Sequence, residues 1–568
     1  MKRILHFVVF MVSLSAIAQV TDQYEPRSWS MQAKNMAVTD VVLLPELDVL
    51  ALKTEDAYAA TQTIAKPLRI GKEISVNMNL FNSGTWTDLK NGDRLWRLNV
   101  KVDEALFSRA IFDLYSLPDG AELYLYSDDH KSKIGPYTSS ENQEDGALGS
   151  WMIDGDNIWV EYYEPAAVSG LGRLSIESFT YGYVDIYKEV DALAKLNESG
   201  ACNVDVLCDP NVNTTGSKDW TSIRNDLINS VAAIVFPRGG STFVCTGAMI
   251  GNTGNNTTPY LLTANHCLST FDGAGSSFNA SQWSFGFQWF ADDNGKSCAT
   301  FNPTTTTAQN SIARKVISGA QLRANDDNSD FALFELNQEP PSAWNLYYAG
   351  WDRSGSVPSE QFGLHHPSGD IMKLCRNDQS APATSFNFNG NSNTQVWRIA
   401  DWDYGVTEGG SSGSVLLNPN GLIIGQLAGG AAACQGTTDN DLFDIYGRMD
   451  TSWNSGFNAA RRLRDWLDPS NTGATALNGA FFTTLSNEDV LIPTIDLKIY
   501  PNPSTGLFTL ESDFPITYEV FNLSGQRILE SKGSINSNQI DLTTAANGLY
   551  FVKIQVGDQS LTRKIVKQ

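Results

Sequence analysis

Three short segments constrain this chain more than any other feature, because each carries one group that a weak alcohol nucleophile needs. Gly410-Ser411-Ser412-Gly413-Ser414 displays a serine on a glycine-flanked turn, next to backbone that can approach a bound carbonyl. Thr263-Ala264-Asn265-His266-Cys267 brings an imidazole, and Ser329-Asp330-Phe331-Ala332-Leu333 brings a carboxylate to orient it. Singly, each has an ordinary alternative: a loop serine, a core histidine beside a cysteine, a turn acid. Together, in the order His266, Asp330, Ser412, they form a nucleophile, a base and an orienting group. The backbone N–H groups of Gly410 and Ser412 are then the expected donors to a developing oxyanion.

The order His, Asp, Ser is similar to the chymotrypsin arrangement, as against Ser-Asp-His or Asp-His-Ser in other serine hydrolases. That resemblance implies a mainly β chain built on a trypsin-like double β-barrel, cutting protein and peptide substrates with no cofactor.

A length of 568 residues is too great for one such domain. Residues 1–18 carry Lys2 and Arg3, an apolar run from Ile4 to Val12, then Ala16-Ile17-Ala18, the pattern of a cleaved signal peptide. No later apolar stretch approaches the roughly 20 residues of a membrane-crossing helix, so no transmembrane segment is expected. The net charge of −23 argues against nucleic acid as a partner. All seven cysteines lie between Cys202 and Cys434, which implies one compact disulfide-bearing module in an exported protein. No Cys-x-x-Cys or His-x-x-x-His pair offers a metal site.

Composition divides the rest. Residues 19–195 alternate apolar and polar, as in Leu95-Trp96-Arg97-Leu98-Asn99-Val100, and read as a β-rich propeptide, or else an accessory binding domain. That part closes with a helix expected over 187–196. Residues 196–482 are rich in Gly, Asn, Ser and Thr between short β-branched or aromatic runs such as Ala232-Ala233-Ile234-Val235-Phe236, which suits Greek-key barrels, and a final helix is expected over 459–467. A linker over 483–494 leads to a small strand-rich unit at 495–568, expected to be a β-sandwich.

In that last unit, Tyr500-Pro501-Asn502-Pro503-Ser504-Thr505-Gly506, Val520-Phe521-Asn522-Leu523-Ser524-Gly525, Gly548-Leu549-Tyr550 and Lys564-Ile565-Val566-Lys567 closely resemble the type A C-terminal sorting domain of the type IX secretion system. The resemblance implies passage through the periplasm to the cell surface or medium, with the secretion machinery as partner.

In the middle unit, Gly200-Ala201-Cys202-Asn203-Val204-Asp205-Val206-Leu207-Cys208, Ala349-Gly350-Trp351-Asp352-Arg353, His365-His366-Pro367, Gly405-Val406-Thr407-Glu408 and Tyr446-Gly447-Arg448 resemble the bacterial lysyl endopeptidase family. The resemblance implies disulfides Cys202–Cys434, Cys208–Cys298 and Cys245–Cys267, with Cys375 alone. It also implies cleavage after lysine. Basic-specific pockets of trypsin-like enzymes usually carry an Asp six residues before the nucleophile, and here that place is Val406. A cationic substrate needs another carboxylate. Asp439, Asp441 and Asp444 are the candidates, and the family's Asp-x-Tyr-Gly-Arg pattern selects Asp444. A polar aromatic pair of the family is replaced by Asn389 and Ala428. Self-processing is expected at Lys195–Leu196. Two alternatives stay open: the same fold with Arg or mixed basic preference, and an inactive surface-binding homologue.

Overall fold

The computed structural model describes residues 24–31, 36–62, 64–65, 67–184, 199–268, 278–290, 298, 315–388, 391–482, 498–522, 526–531, 535–556 and 559–568. The signal-peptide segment, the helix expected over 187–196 with its Lys195–Leu196 bond, the 483–494 linker and Asn389 lie outside them. The chain is mainly β and divides into two compact units, residues 1–483 and 484–568.

Within the first unit, residues 24–184, a leader only in the sense that they precede the barrels in the chain, fold as two facing sheets. One contains Val41–Leu44, Arg94–Val102, Asn157–Glu164, Glu122–Ser127 and Lys133–Tyr137 in that spatial order. The other is built on Arg173–Gly182, paired with Leu68–Asn79 on one side and Ala110–Ser116 on the other. Side chains that alternate inward, such as Leu98, Val100, Leu123, Leu125, Phe112 and Phe179, are 0% exposed and make the core between the sheets.

This core does not stop at the leader. Leu68–Asn79 continues into the next domain by pairing antiparallel with Ser241–Met249, which in turn pairs with Val231–Arg238. Along Val231–Arg238 the two-residue period sends Ala232, Ile234 and Phe236 into one cluster with Met249, Trp283 and Phe285. Ala233 and Val235 enter the leader's cluster on the other face. The run Ala232 to Phe236 is apolar without alternation because the leader covers its second face.

Two barrels follow. The first is formed by Val231–Arg238, Ser241–Met249, Tyr260–Ala264, Ser284–Phe287, Lys315–Ser318, Ala320–Asp326 and Phe331–Leu336. The second uses Gln361–His365, Lys373–Asn377, Ala383–Phe388, Asn391–Ile399, Val415–Leu417, Ile423–Gly430 and Asp444–Arg448. Val231, Leu262, Phe331, Phe362, Val415 and Ile423 pack in one cluster that draws on both barrels.

The helix expected over 459–467 is broken. A 3-10 turn Ala459–Arg461 is followed by extended Arg462 and then the short helix Arg464–Leu467. The break lets the Leu463 N–H reach Ser452 O at 3.0 Å and buries Leu463 and Leu467 completely. Tertiary packing has overridden local spacing.

The second unit is a small sandwich. The long strand Leu507–Asn522 pairs with Ile535–Asp541 and Gly548–Val556, and the latter pairs with Gln559–Lys567. Phe508, Leu510, Val520, Ile540, Val552, Ile554 and Ile565 form its dry core. Among the described residues, no helix is long and apolar enough to cross a membrane.

Candidate active site

The register of two strands decides where the imidazole meets the carboxylate. Tyr260–Ala264 pairs antiparallel with Phe331–Leu336, Ala264 opposite Phe331, so the residues just beyond each strand end face each other. They are Asn265-His266 and Asp330. The Asn265 N–H donates to Asp330 O at 2.8 Å, the His266 N–H to Asp330 Oδ1 at 2.9 Å, and His266 Nδ1 lies 2.7 Å from Asp330 Oδ2. Asp330 adopts a left-handed backbone with φ 54°, a region that Asp tolerates better than most residues. Burial pushes the Asp330 carboxyl up from its ordinary value, against the opposing pull of His266.

The histidine turn is braced twice. Cys245–Cys267 ties it to Ser241–Met249, and Arg238 Nη1 donates to His266 O at 3.0 Å and Cys267 O at 3.1 Å. Arg238 drew no attention in the sequence. Phe388 is a second such residue. Its ring meets the His266 imidazole edge-on at 5.7 Å, one position before Asn389.

The serine turn is positioned by its glycines. Gly410 (φ 94°) and Gly413 (φ 82°) hold left-handed conformations. A Cβ on Gly413 would collide with Thr263 Oγ1 and come within 2.7 Å of Ala264 N, so the turn lies flat against the end of the strand Tyr260–Ala264 that leads into His266. The Thr246 N–H donates to Ser412 O at 2.7 Å and Thr246 Oγ1 to Gly410 O at 2.9 Å, which completes the docking. The bonds internal to the turn run from Ser411 N to Glu408 O and from Ser414 N to Ser411 O, leaving the Gly410 and Ser412 N–H groups out of them. Ser412 Oγ is buried and has no hydrogen-bond partner among the described residues.

His365 and His366 have other tasks. His365 Nδ1 lies 2.7 Å from Ser411 Oγ, supporting the turn from behind. His366 Nδ1 lies 2.9 Å from Asp370 O, and its ring stacks on Trp289. Burial lowers His366 to about 4, so it stays neutral near neutral pH.

Of the three candidate carboxylates, Asp444 is fully buried, whereas Asp439 is half-buried and Asp441 exposed, both beside Asp401. Asp444 opens the strand Asp444–Arg448, opposite Gly430 on one neighbour and Ile399 on the other. Trp402 Nε1 and Thr407 Oγ1 donate to its Oδ2 at 2.8 and 2.5 Å, and a Cβ on Gly430 would collide with its Oδ1. Val406 is 0% exposed and packs in an apolar cluster with Trp397, Ile399, Trp402 and Tyr446. Two more disulfides, Cys202–Cys434 and Cys208–Cys298, tie the start of this domain to later loops, and Cys375 is a buried free thiol.

Residues 196–447 match the family model described as "Lysyl endopeptidase, C-terminal domain". This region is similar to the lysyl endopeptidase family. Residues 498–568 match the secretion system C-terminal sorting domain. A lysyl endopeptidase of Pseudomonas aeruginosa is 28% identical over 388 residues, 64% of this chain and 74% of that protein. The protease Anisep of Arthrobacter nicotinovorans is 17% identical over 41% of this chain and 97% of its own, with a TM-score of 0.28. A Glu endopeptidase structure is 18% identical over 39% and 85%, with a TM-score of 0.25. The protein is a serine endopeptidase, secreted or held at the cell surface, and its sorting domain implies secretion machinery as a partner.

Proposed function

We propose that this endopeptidase cleaves on the carboxyl side of lysine, with Ser412 as nucleophile, His266 as base and Asp330 as the orienting carboxylate. Ser412 Oγ attacks the scissile carbonyl while His266 Nε2 takes its proton, and the same proton passes to the leaving amine as the C–N bond breaks. Water then repeats the sequence on the acyl-enzyme, and the acid product leaves with Ser412 restored. The Gly410 and Ser412 N–H groups hold the oxyanion, each such donor being worth about 2.7–4 kcal/mol of barrier. Export is assigned to the type IX route through residues 495–568, after removal of a signal peptide at 1–18. Residues 19–195 act as the propeptide, released by cleavage at Lys195–Leu196.

The lysine preference is carried by one observation, the buried Asp444 beside the Gly430 backbone. Trp402 and Thr407 hold its carboxylate in a fixed orientation, and Val406 leaves the usual charge position apolar. A single carboxylate in such a pocket favours a compact ammonium over the wider guanidinium fork. The relative from Pseudomonas aeruginosa, a lysyl endopeptidase by name, supports the same reading.

Asp444→Asn keeps an oxygen that can accept from Trp402 and Thr407, so it tests charge and not packing. Losing one partner of a buried pair costs about 2–5 kcal/mol, which predicts a fall of about 30- to 5,000-fold in kcat/KM on a lysyl peptide. The matched leucyl peptide should change by less than about threefold. An unchanged lysine preference would remove Asp444 from the pocket.

A further inference from the structure

Ser412 and His266 are both 0% exposed, although a peptide has to reach them. What crosses the cleft is the leader itself. The Gly430 N–H donates to Ile64 O at 2.8 Å. A Cβ on the neighbouring Gly429 would collide with the same carbonyl and come within 3.1 Å of Ala65 Cα. Ala65 is buried in an apolar cluster with Phe388, Val396, Ala428 and Ile445. Three residues further on, Leu68 pairs with Val244 and Arg69 with Phe243, on the strand that carries Cys245, the disulfide partner of Cys267.

The leader therefore hydrogen-bonds to the second barrel at residue 64 and to the first barrel from residue 68. It passes from the strand Ile423–Gly430 of one barrel to the strand Ser241–Met249 of the other across the junction that holds His266 and Ser412, as an extended substrate does. Ala65 lies against Phe388, whose ring meets His266. The next two residues in the chain are Lys66 and Pro67. Lys66 lies outside the described residues. Asp444, the carboxylate assigned to lysine, touches Gly430, the same residue whose N–H holds Ile64.

We infer that residues 64–68 are a substrate-like plug, with Lys66 as the residue the enzyme selects and Pro67 on the leaving side of the bond it would attack. The inference rests on the lysine reading above. Proline explains why the plug persists. The nitrogen that would leave belongs to a pyrrolidine ring, with Cδ where other substrates carry the N–H that faces the catalytic turn. The ring also fixes φ near −65° and limits the conformations open to the preceding residue. The lysine can thus be bound without the bond after it being readily cut.

Further contacts keep the plug in place independently of the cleft. Buried Arg109 donates to Ser150 O and Gln282 O at 2.9 Å each, Ser284 Oγ and Ser318 Oγ both donate to Gly149 O at 3.0 Å, and Glu73 accepts from Ser178 Oγ at 2.7 Å and from Thr242. Of these, Arg109 to Gln282, Ser284 and Ser318 to Gly149, and Thr242 to Glu73 tie leader to barrel, while Arg109 to Ser150 and Ser178 to Glu73 brace the leader's own side of those contacts.

The test uses the full chain. Pro67→Ala is expected to convert the plug into a substrate, so that intact-mass and N-terminal analysis finds a new cut between residues 66 and 67 that wild type lacks. Adding Lys66→Leu to Pro67→Ala should abolish that cut. In parallel, Lys66→Ala should raise the rate at which a fluorophosphonate labels Ser412 in freshly purified full chain by at least tenfold, a measurement that does not depend on proteolysis. Hydrolysis of a lysyl peptide by the processed enzyme is measured separately. If that peptide is cut while Pro67→Ala stays intact and Lys66→Ala labels at the wild-type rate, the plug is overturned and the lysine reading stands. If Pro67→Ala is cut equally with Lys or Leu at residue 66, the lysine reading fails, and with it the assignment of Lys66.

Discussion

Ser412→Ala is expected to lower kcat on peptide substrates by about six orders of magnitude, to the level that binding and oxyanion donors alone sustain. The variant should keep the wild-type melting temperature within about 2 °C, because Ser412 Oγ makes no hydrogen bond among the described residues and its loss opens little space. Fluorophosphonate labelling should vanish together with turnover. Assays at matched protein concentration, with labelling followed by peptide mass mapping, check both points. Wild-type-like turnover would remove Ser412 from the mechanism.

Asp330→Asn is expected to cost about 10⁴-fold in kcat near neutral pH with the fold retained. Asn also tolerates the left-handed backbone that Asp330 adopts at φ 54°, so the turn should survive. What changes is the proton on His266. Asp330 Oδ2 accepts from Nδ1 at 2.7 Å, which leaves Nε2 as the basic nitrogen, whereas an amide nitrogen at that place would favour the other tautomer. Circular dichroism reads the fold and steady-state kinetics the loss. A change of less than tenfold would mean that the carboxylate does not set the tautomer.

The candidate site was legible because each of its groups lies in an unbroken local segment. Ser412 announces itself by flanking glycines, and the structure shows their purpose, since Gly413 must lie against Thr263 and Ala264. His266 and Asp330 were legible as residue types beside strand-like runs, and the pairing of Ala264 with Phe331 is what brings them together. The disulfides followed only from family resemblance, because spacing does not determine connectivity.

Less was legible where contacts cross long stretches of sequence. Arg238 caps the carbonyls of the histidine turn from 28 residues away, and nothing in its own segment marks that role. Phe388 meets the His266 ring edge-on although attention fell on its sequence neighbour Asn389, because a phenylalanine at a strand end carries no local mark of such a contact. The helix expected over 459–467 broke because Leu463 and Leu467 are drawn into the core beneath it. Lys66-Pro67 carried no signal at all. A lysine before a proline is commonplace until Gly430 and Val244 show which cleft the chain between Ile64 and Leu68 crosses.

A digest of a denatured protein mixture by the processed enzyme, with every new C-terminus identified by mass spectrometry, tests the central claim most directly. The account predicts lysine at those termini, with Lys–Pro bonds left intact and arginine cut far less. New termini spread over arginine, glutamate or apolar residues would contradict it.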